Sequence, residues 1–162
     1  MGIEIDAKRG VANHYGVRST TGQYGSQQST KQGIVKSAFW DFTYNTLPNG
    51  GANNLQFVIP ANAIIVSAKL IIDTAFTSTS TTTDLDIGLV SSAGAEVDLN
   101  GLVTATEATQ TAIAVDNSVI TGAGALIGKT IGAVAGELKV TPTVDDLLTG
   151  AGRVVVEYIY NN

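Results

Sequence analysis

The pattern of apolar and polar positions changes abruptly at Ile34. From there on, side chains alternate with period two over several stretches, the signature of strands with one buried face. Ile34, Ala38, Trp40, Phe42 and Tyr44 fall on one face, with Val35, Ser37, Asp41 and Thr43 mostly opposite. The run Leu47-Pro48-Asn49-Gly50-Gly51-Ala52-Asn53 is a dense turn signal. Leu55, Phe57 and Ile59 then alternate with Gln56 and Val58 as far as Pro60. The strongest alternation follows, with Ile64, Val66, Ala68, Leu70, Ile72 and Phe76 on one side and Ser67, Lys69 and Asp73 on the other. The polar, low-complexity run 77–83 reads as a loop. Beyond it Leu85, Ile87 and Leu89 resume the pattern with Asp84 and Asp86 outward.

Residues 93–133 are rich in Ala and Gly and less regular. Residues 93–102 are predicted as a short helical turn after a hairpin, and 112–115 and 118–121 as short strands. Two late strands stand out, over 137–144 and 153–160. In the second, Val154, Val156, Tyr158 and Tyr160 oppose Val155, Glu157 and Ile159. Both sides are apolar at several positions, as in a strand buried within a sheet or placed at a subunit contact. About eight short strands with turn signals between them predict an all-β chain, a single β-sandwich or jelly roll.

Composition agrees. Only 14 % of residues are charged against 44 % apolar, so the Glu, Lys and Arg that dress the wet face of long helices are scarce. Thr, Ser, Asn and Gly fill the polar positions instead, which suits strands and turns. The 162 residues are enough for one domain with a real core. Cysteine is absent, which removes disulfides and thiol chemistry together. Glu4, Asp6, Lys8 and Arg9 interrupt the start and no apolar run approaches the ~20 residues that span a bilayer, so neither a signal peptide nor a membrane span is expected.

Residues 1–33 differ from the rest and read as an extended N-terminal arm on a body formed by 34–162. Few apolar residues occur there and no period is sustained, so the segment cannot by itself offset its ordering entropy. Tyr15 and Tyr24 are nevertheless spaced along it, with Lys8, Arg9, Arg18 and Lys31. Aromatic and cationic side chains on an otherwise polar strip suit anchoring to a partner surface. Lys36 included, residues 1–40 carry five bases and two acids, whereas residues 41–162 carry four bases and twelve acids. The positive charges are too sparse for a nucleic-acid tail, which carries them in blocks.

The search for chemistry finds no constellation. His14 is the single histidine, so His-dependent triads and multi-histidine metal sites are excluded within one chain. Asp84-Leu85-Asp86-Ile87-Gly88 resembles the start of a calcium loop but lacks the later ligands and the distal Glu. The stretch from Gly122 to Thr130 nearly matches a phosphate loop, yet the first required glycine is Ala123 and no helix follows. Asp145, Asp146 and Glu157 are read as solvated charges. No enzyme activity, cofactor, metal or small-molecule substrate is expected.

The segment Phe57-Val58-Ile59-Pro60-Ala61-Asn62-Ala63-Ile64-Ile65-Val66-Ser67-Ala68-Lys69-Leu70, with Asp73-Thr74-Ala75-Phe76, Asp84-Leu85-Asp86-Ile87-Gly88 and Ala151-Gly152-Arg153-Val154-Val155-Val156-Glu157-Tyr158-Ile159, resembles small structural proteins of tailed phages, particularly head decoration (cement) proteins. The resemblance implies a β-rich homotrimer on the outer surface of the virion head that clamps neighbouring major capsid protein subunits. It implies that Lys8, Arg9, Tyr15, Arg18, Tyr24 and Lys31 contact the capsid, and that Val154, Val156, Tyr158 and Tyr160 form the oligomer interface. Two other classes fit the same pattern: a phage tail or fibre component, and a carbohydrate-binding sandwich with Phe39, Trp40 and Asp41 as its only candidate platform.

Overall fold

The computed structural model describes residues 13–15, 26–28, 34–50 and 58–160. Within the segment expected to form the arm, β1 (Asn13–Tyr15) pairs antiparallel with β2 (Ser26–Gln28). The strands of the body are β3 (Val35–Thr43), β4 (Val58–Ile59), β5 (Ile64–Ser78), β6 (Leu85–Val90), β7 (Glu96–Val103), β8 (Ser118–Thr121), β9 (Gly136–Pro142) and β10 (Leu147–Ile159), with one short helix, α1 (Gln110–Ile113). They form two four-stranded antiparallel sheets in the orders β3-β10-β5-β8 and β4-β9-β6-β7. The chain is therefore a β-sandwich, as the alternation predicts.

The core lies between the sheets. Ala38, Trp40 and Phe42 of β3, Ala68, Leu70 and Ile72 of β5 and Val154, Val156 and Tyr158 of β10 face Leu85, Ile87 and Leu89 of β6 and Leu138 and Val140 of β9. Phe42 and Phe76 stack at one end with ring centroids 5.8 Å apart. Each fully buried aliphatic side chain of this kind stabilises the fold by about 1.5–3 kcal/mol relative to exposure.

Three local expectations are corrected. Ile64 and Val66 do not share the buried face of β5. The register slips between Glu157↔Ser67 and Tyr158↔Ile65, leaving Val66 as an extra residue. This bulge reverses the alternation, so Ile65 is buried whereas Ile64 and Val66 are exposed. Residues 96–103 are strand β7 rather than a helical turn. A Cβ on Gly88 would lie 2.0 Å from the Asp98 carbonyl oxygen, so the bare backbone of β6 admits this close approach. The predicted strand at 112–115 is instead occupied by the end of α1, which the Thr109 hydroxyl caps by accepting from the Ala112 N–H at 3.3 Å.

Candidate functional site

The outer face of the β3-β10-β5-β8 sheet departs from what a solvated face should be. Antiparallel sheets that pack on one side normally turn polar side chains to water on the other. Here the cross-strand register lays out four rows. Val35, Ile159 and Ile64 form one, and Ser37, Glu157 and Ser67 the next. Then come Phe39, Val155, Lys69 and Thr121, followed by Asp41, Arg153, Ile71 and Val119. Phe39 and Val119 are each 59 % exposed, and Val35 and Ile64 are also exposed. Apolar side chains gathered on one face in this way mark interaction surfaces, whereas scattered ones do not.

Two pairs of polar groups on this face satisfy one another. Arg153 Nε donates to Asp41 Oδ1 in an ion pair across β3 and β10. The hydrogen bond to Asp41, then its charge, raises the Arg153 pKa above its ordinary value, so the guanidinium stays charged. Its carbon lies 5.7 Å from the Phe39 ring centroid, in cation–π range. Ser67 Oγ donates to Glu157 Oε2 at 2.8 Å.

The residues expected at the oligomer interface lie elsewhere. Val154, Val156 and Tyr158 are buried in the sandwich core, where Val154 sits between Trp40 and Leu70 in register. Tyr160 is half-buried beside the core, with Lys36 Nζ 5.5 Å from its ring centroid. The physical reason is the position of β10. As an inner strand it gives one side to the core, and its remaining apolar side, Val155 and Ile159, belongs to the outer face. Of the residues expected to touch the capsid, Lys8, Arg9, Arg18, Tyr24 and Lys31 lie outside the described residues. Tyr15 falls in β1, where only the backbone pairing is described.

The other candidates have structural work. Asp86 Oδ1 accepts from the Ala105 N–H at 2.8 Å and Asp84 Oδ1 from the Gln110 N–H at 2.7 Å. Glu107 Oε2 accepts from Thr104 N–H at 2.9 Å and its Oε1 from Ala123 N–H at 3.0 Å. These carboxylates hold the 104–110 turn and tie it to the following glycine-rich segment. In that segment the amides of Gly122, Gly124, Leu126 and Gly128 donate to carbonyls of Ala68, Leu102, Gly101 and Ile65. Those amides therefore strap the segment to the sandwich, and they are not arrayed around a phosphate-sized space. Asp145 accepts from Thr79 and from the Asp146 N–H. Glu157 stands eleven residues along an extended chain from Asp146, about 35 Å away, too far for a carboxylate pair. Trp40 is 1 % exposed and cannot serve as a sugar platform.

This arrangement defines a class by architecture, a two-sheet antiparallel sandwich. Comparison with solved structures places phage capsid components within that class. A chain of the cyanophage Pam1 capsid asymmetric unit superposes with a TM-score of 0.52 at 19 % identity, covering 90 % of this chain and 98 % of that one. A chain of the capsid of Ralstonia phage GP4 gives 0.51 at 23 % identity, covering 83 % and 90 %. At these identities the likeness establishes a shared fold. No protein-family model matches the chain, and no curated protein matches it by sequence.

Proposed function

We propose that this protein is a structural component of a phage virion, a decoration protein that binds the outer surface of the head and stabilises contacts between major capsid protein subunits. The observation that carries the reading is the near end-to-end likeness, in both chains, to components of two phage capsid structures. It accords with the resemblance in sequence to head decoration proteins. The exposed apolar side chains Val35, Phe39, Ile64 and Val119 on the outer face add a second support, since such groups suit a protein that works inside an assembly.

In this reading the segment 1–33, with Lys8, Arg9, Arg18 and Lys31 against Glu4 and Asp6, attaches a body whose remaining charges sum to −7. Several bodies held together, as in a trimer, present several such segments at once. Weak individual contacts then add to a durable attachment. A tail or fibre location for the same sandwich is the competing outcome.

Co-sedimentation of the purified chain with undecorated heads of its source virus tests the proposal. Saturable binding in many copies per head is expected, weakened by raised salt because the contacting charges are screened. Deletion of residues 1–33 should weaken it further. Absence of binding by the full chain would overturn the decoration role.

A further inference from the structure

We infer that the outer face of the β3-β10-β5-β8 sheet is the surface through which copies of this chain associate with one another. The inference does not depend on attachment to a virion head, because it concerns the protein in solution.

Three observations converge on a second copy as the occupant. The first is the exposure of Val35, Phe39, Ile64 and Val119 on one side of the sheet, joined by the half-buried Val155 and Ile159, with the row Ser37, Glu157 and Ser67 between the two apolar groups. The second is electrostatic. The outer side of this sheet carries two bases, Lys69 and Arg153, and three acids, Asp41, Asp73 and Glu157, because Lys36 falls on the other side of β3 with Ala38 and Trp40. The rest of the body beyond residue 33 carries nine acids and three bases, so −6 of its net charge of −7 lies off this face. Two copies of an acidic body repel each other least across this nearly neutral face, and like-charge juxtaposition is what excludes wrong geometries. A basic partner would be drawn to the acidic remainder instead.

The third observation is size. Strands of nine, thirteen, fifteen and four residues, set about 4.8 Å apart, give a flat area on the order of 600 Å². The accessible area of a corrugated face exceeds its flat area, which brings it to the ~800 Å² per partner of a standard interface. Within the face, Phe39 is the anchor. It is the largest exposed apolar side chain, and the Arg153 guanidinium against its ring fixes it with limited loss of freedom on association.

Sedimentation velocity of the full chain across a wide concentration range provides the test. An oligomer is expected, and Phe39→Asp should raise its dissociation constant about thirtyfold, the effect of losing an interface anchor. Val35→Asp should weaken it in the same direction. Val144→Asp, an exposed apolar position in the β9–β10 loop, should leave it unchanged. Hydroxyl-radical labelling of the unaltered chain gives a readout that needs no variant, and Phe39 should be labelled less in concentrated than in dilute samples. A single-chain mass at every concentration, or equal labelling of Phe39 in both samples, would overturn the inference. An unchanged oligomer in folded Phe39→Asp would do so too, including the case in which that variant loses only its binding to heads.

Discussion

Phe39 and Trp40 are neighbours in the chain and opposites in environment. The alternation of β3 puts Trp40 into the core and Phe39 onto the open face, and this was readable from Ser37, Asp41 and Thr43 around them. Tyr158 shows where single-residue reading stopped. It lies among valines on a strand apolar on both sides, and nothing local tells which side meets the other sheet. Burial raises the Tyr158 phenol above its ordinary pKa. The unfolded phenol ionises near pH ~10, so the stabilisation from the neutral buried ring is complete below that pH. It is lost as pH rises through the higher folded-state value. Denaturant midpoints measured for wild type and Tyr158→Phe should therefore diverge above pH ~10, with the variant falling less steeply. Parallel pH dependences would assign the alkaline loss to other groups.

At the scale of elements, the regular strands were legible and the irregular ones were not. Strands β3, β6 and β8 follow period two or short β-favouring runs and emerge near their observed bounds. The reversal in β5 was hidden because a bulge adds one residue, and an apolar run such as Ile64-Ile65-Val66 offers either parity. Strand β7 was hidden for a different reason. Its own alternation, Val97 and Leu99 against Glu96, Asp98 and Asn100, is short and set among Ala and Gly. The close approach that admits it lies in its partner strand, at Gly88. Turn 104–110 likewise depends on acids distant in sequence. Asp86→Ala should remove an acceptor from the Ala105 amide and cost about 1–3 kcal/mol. Hydrogen exchange should show this as faster exchange confined first to 104–110, and unaltered exchange there would mean that the turn holds without its carboxylate.

Over the whole molecule, the all-β sandwich followed from composition and alternation, because few charges and many β-favouring residues leave little else to build. The sheet order did not, since β3 pairs with β10 across more than a hundred residues and no local pattern encodes so distant a partner. The candidate surface was half legible. The apolar outer side of β10 was visible in Val155 and Ile159, but only the sheet order shows that Phe39 and Val35 stand beside them. Charge was more informative as a distribution than as a net value, because the +2 of residues 1–33 and the −7 of the body merge in the total of −5.

The place of β10 also bears on how the protein comes into being. It lies between β3 and β5, yet the ribosome makes it after both, and after β8 as well. Until Leu147–Ile159 emerges, β3 has no neighbour in its sheet among the described residues, and one long edge of β5 stays open. Closing such distant pairings last makes folding slow and late, with open edges exposed to other nascent chains meanwhile. A nascent chain halted just before Leu147 should thus remain open to protease through β3 and β5, whereas release of the finished chain should bring protection to both at once. Protection of the halted chain would mean that the sheet assembles without its central strand.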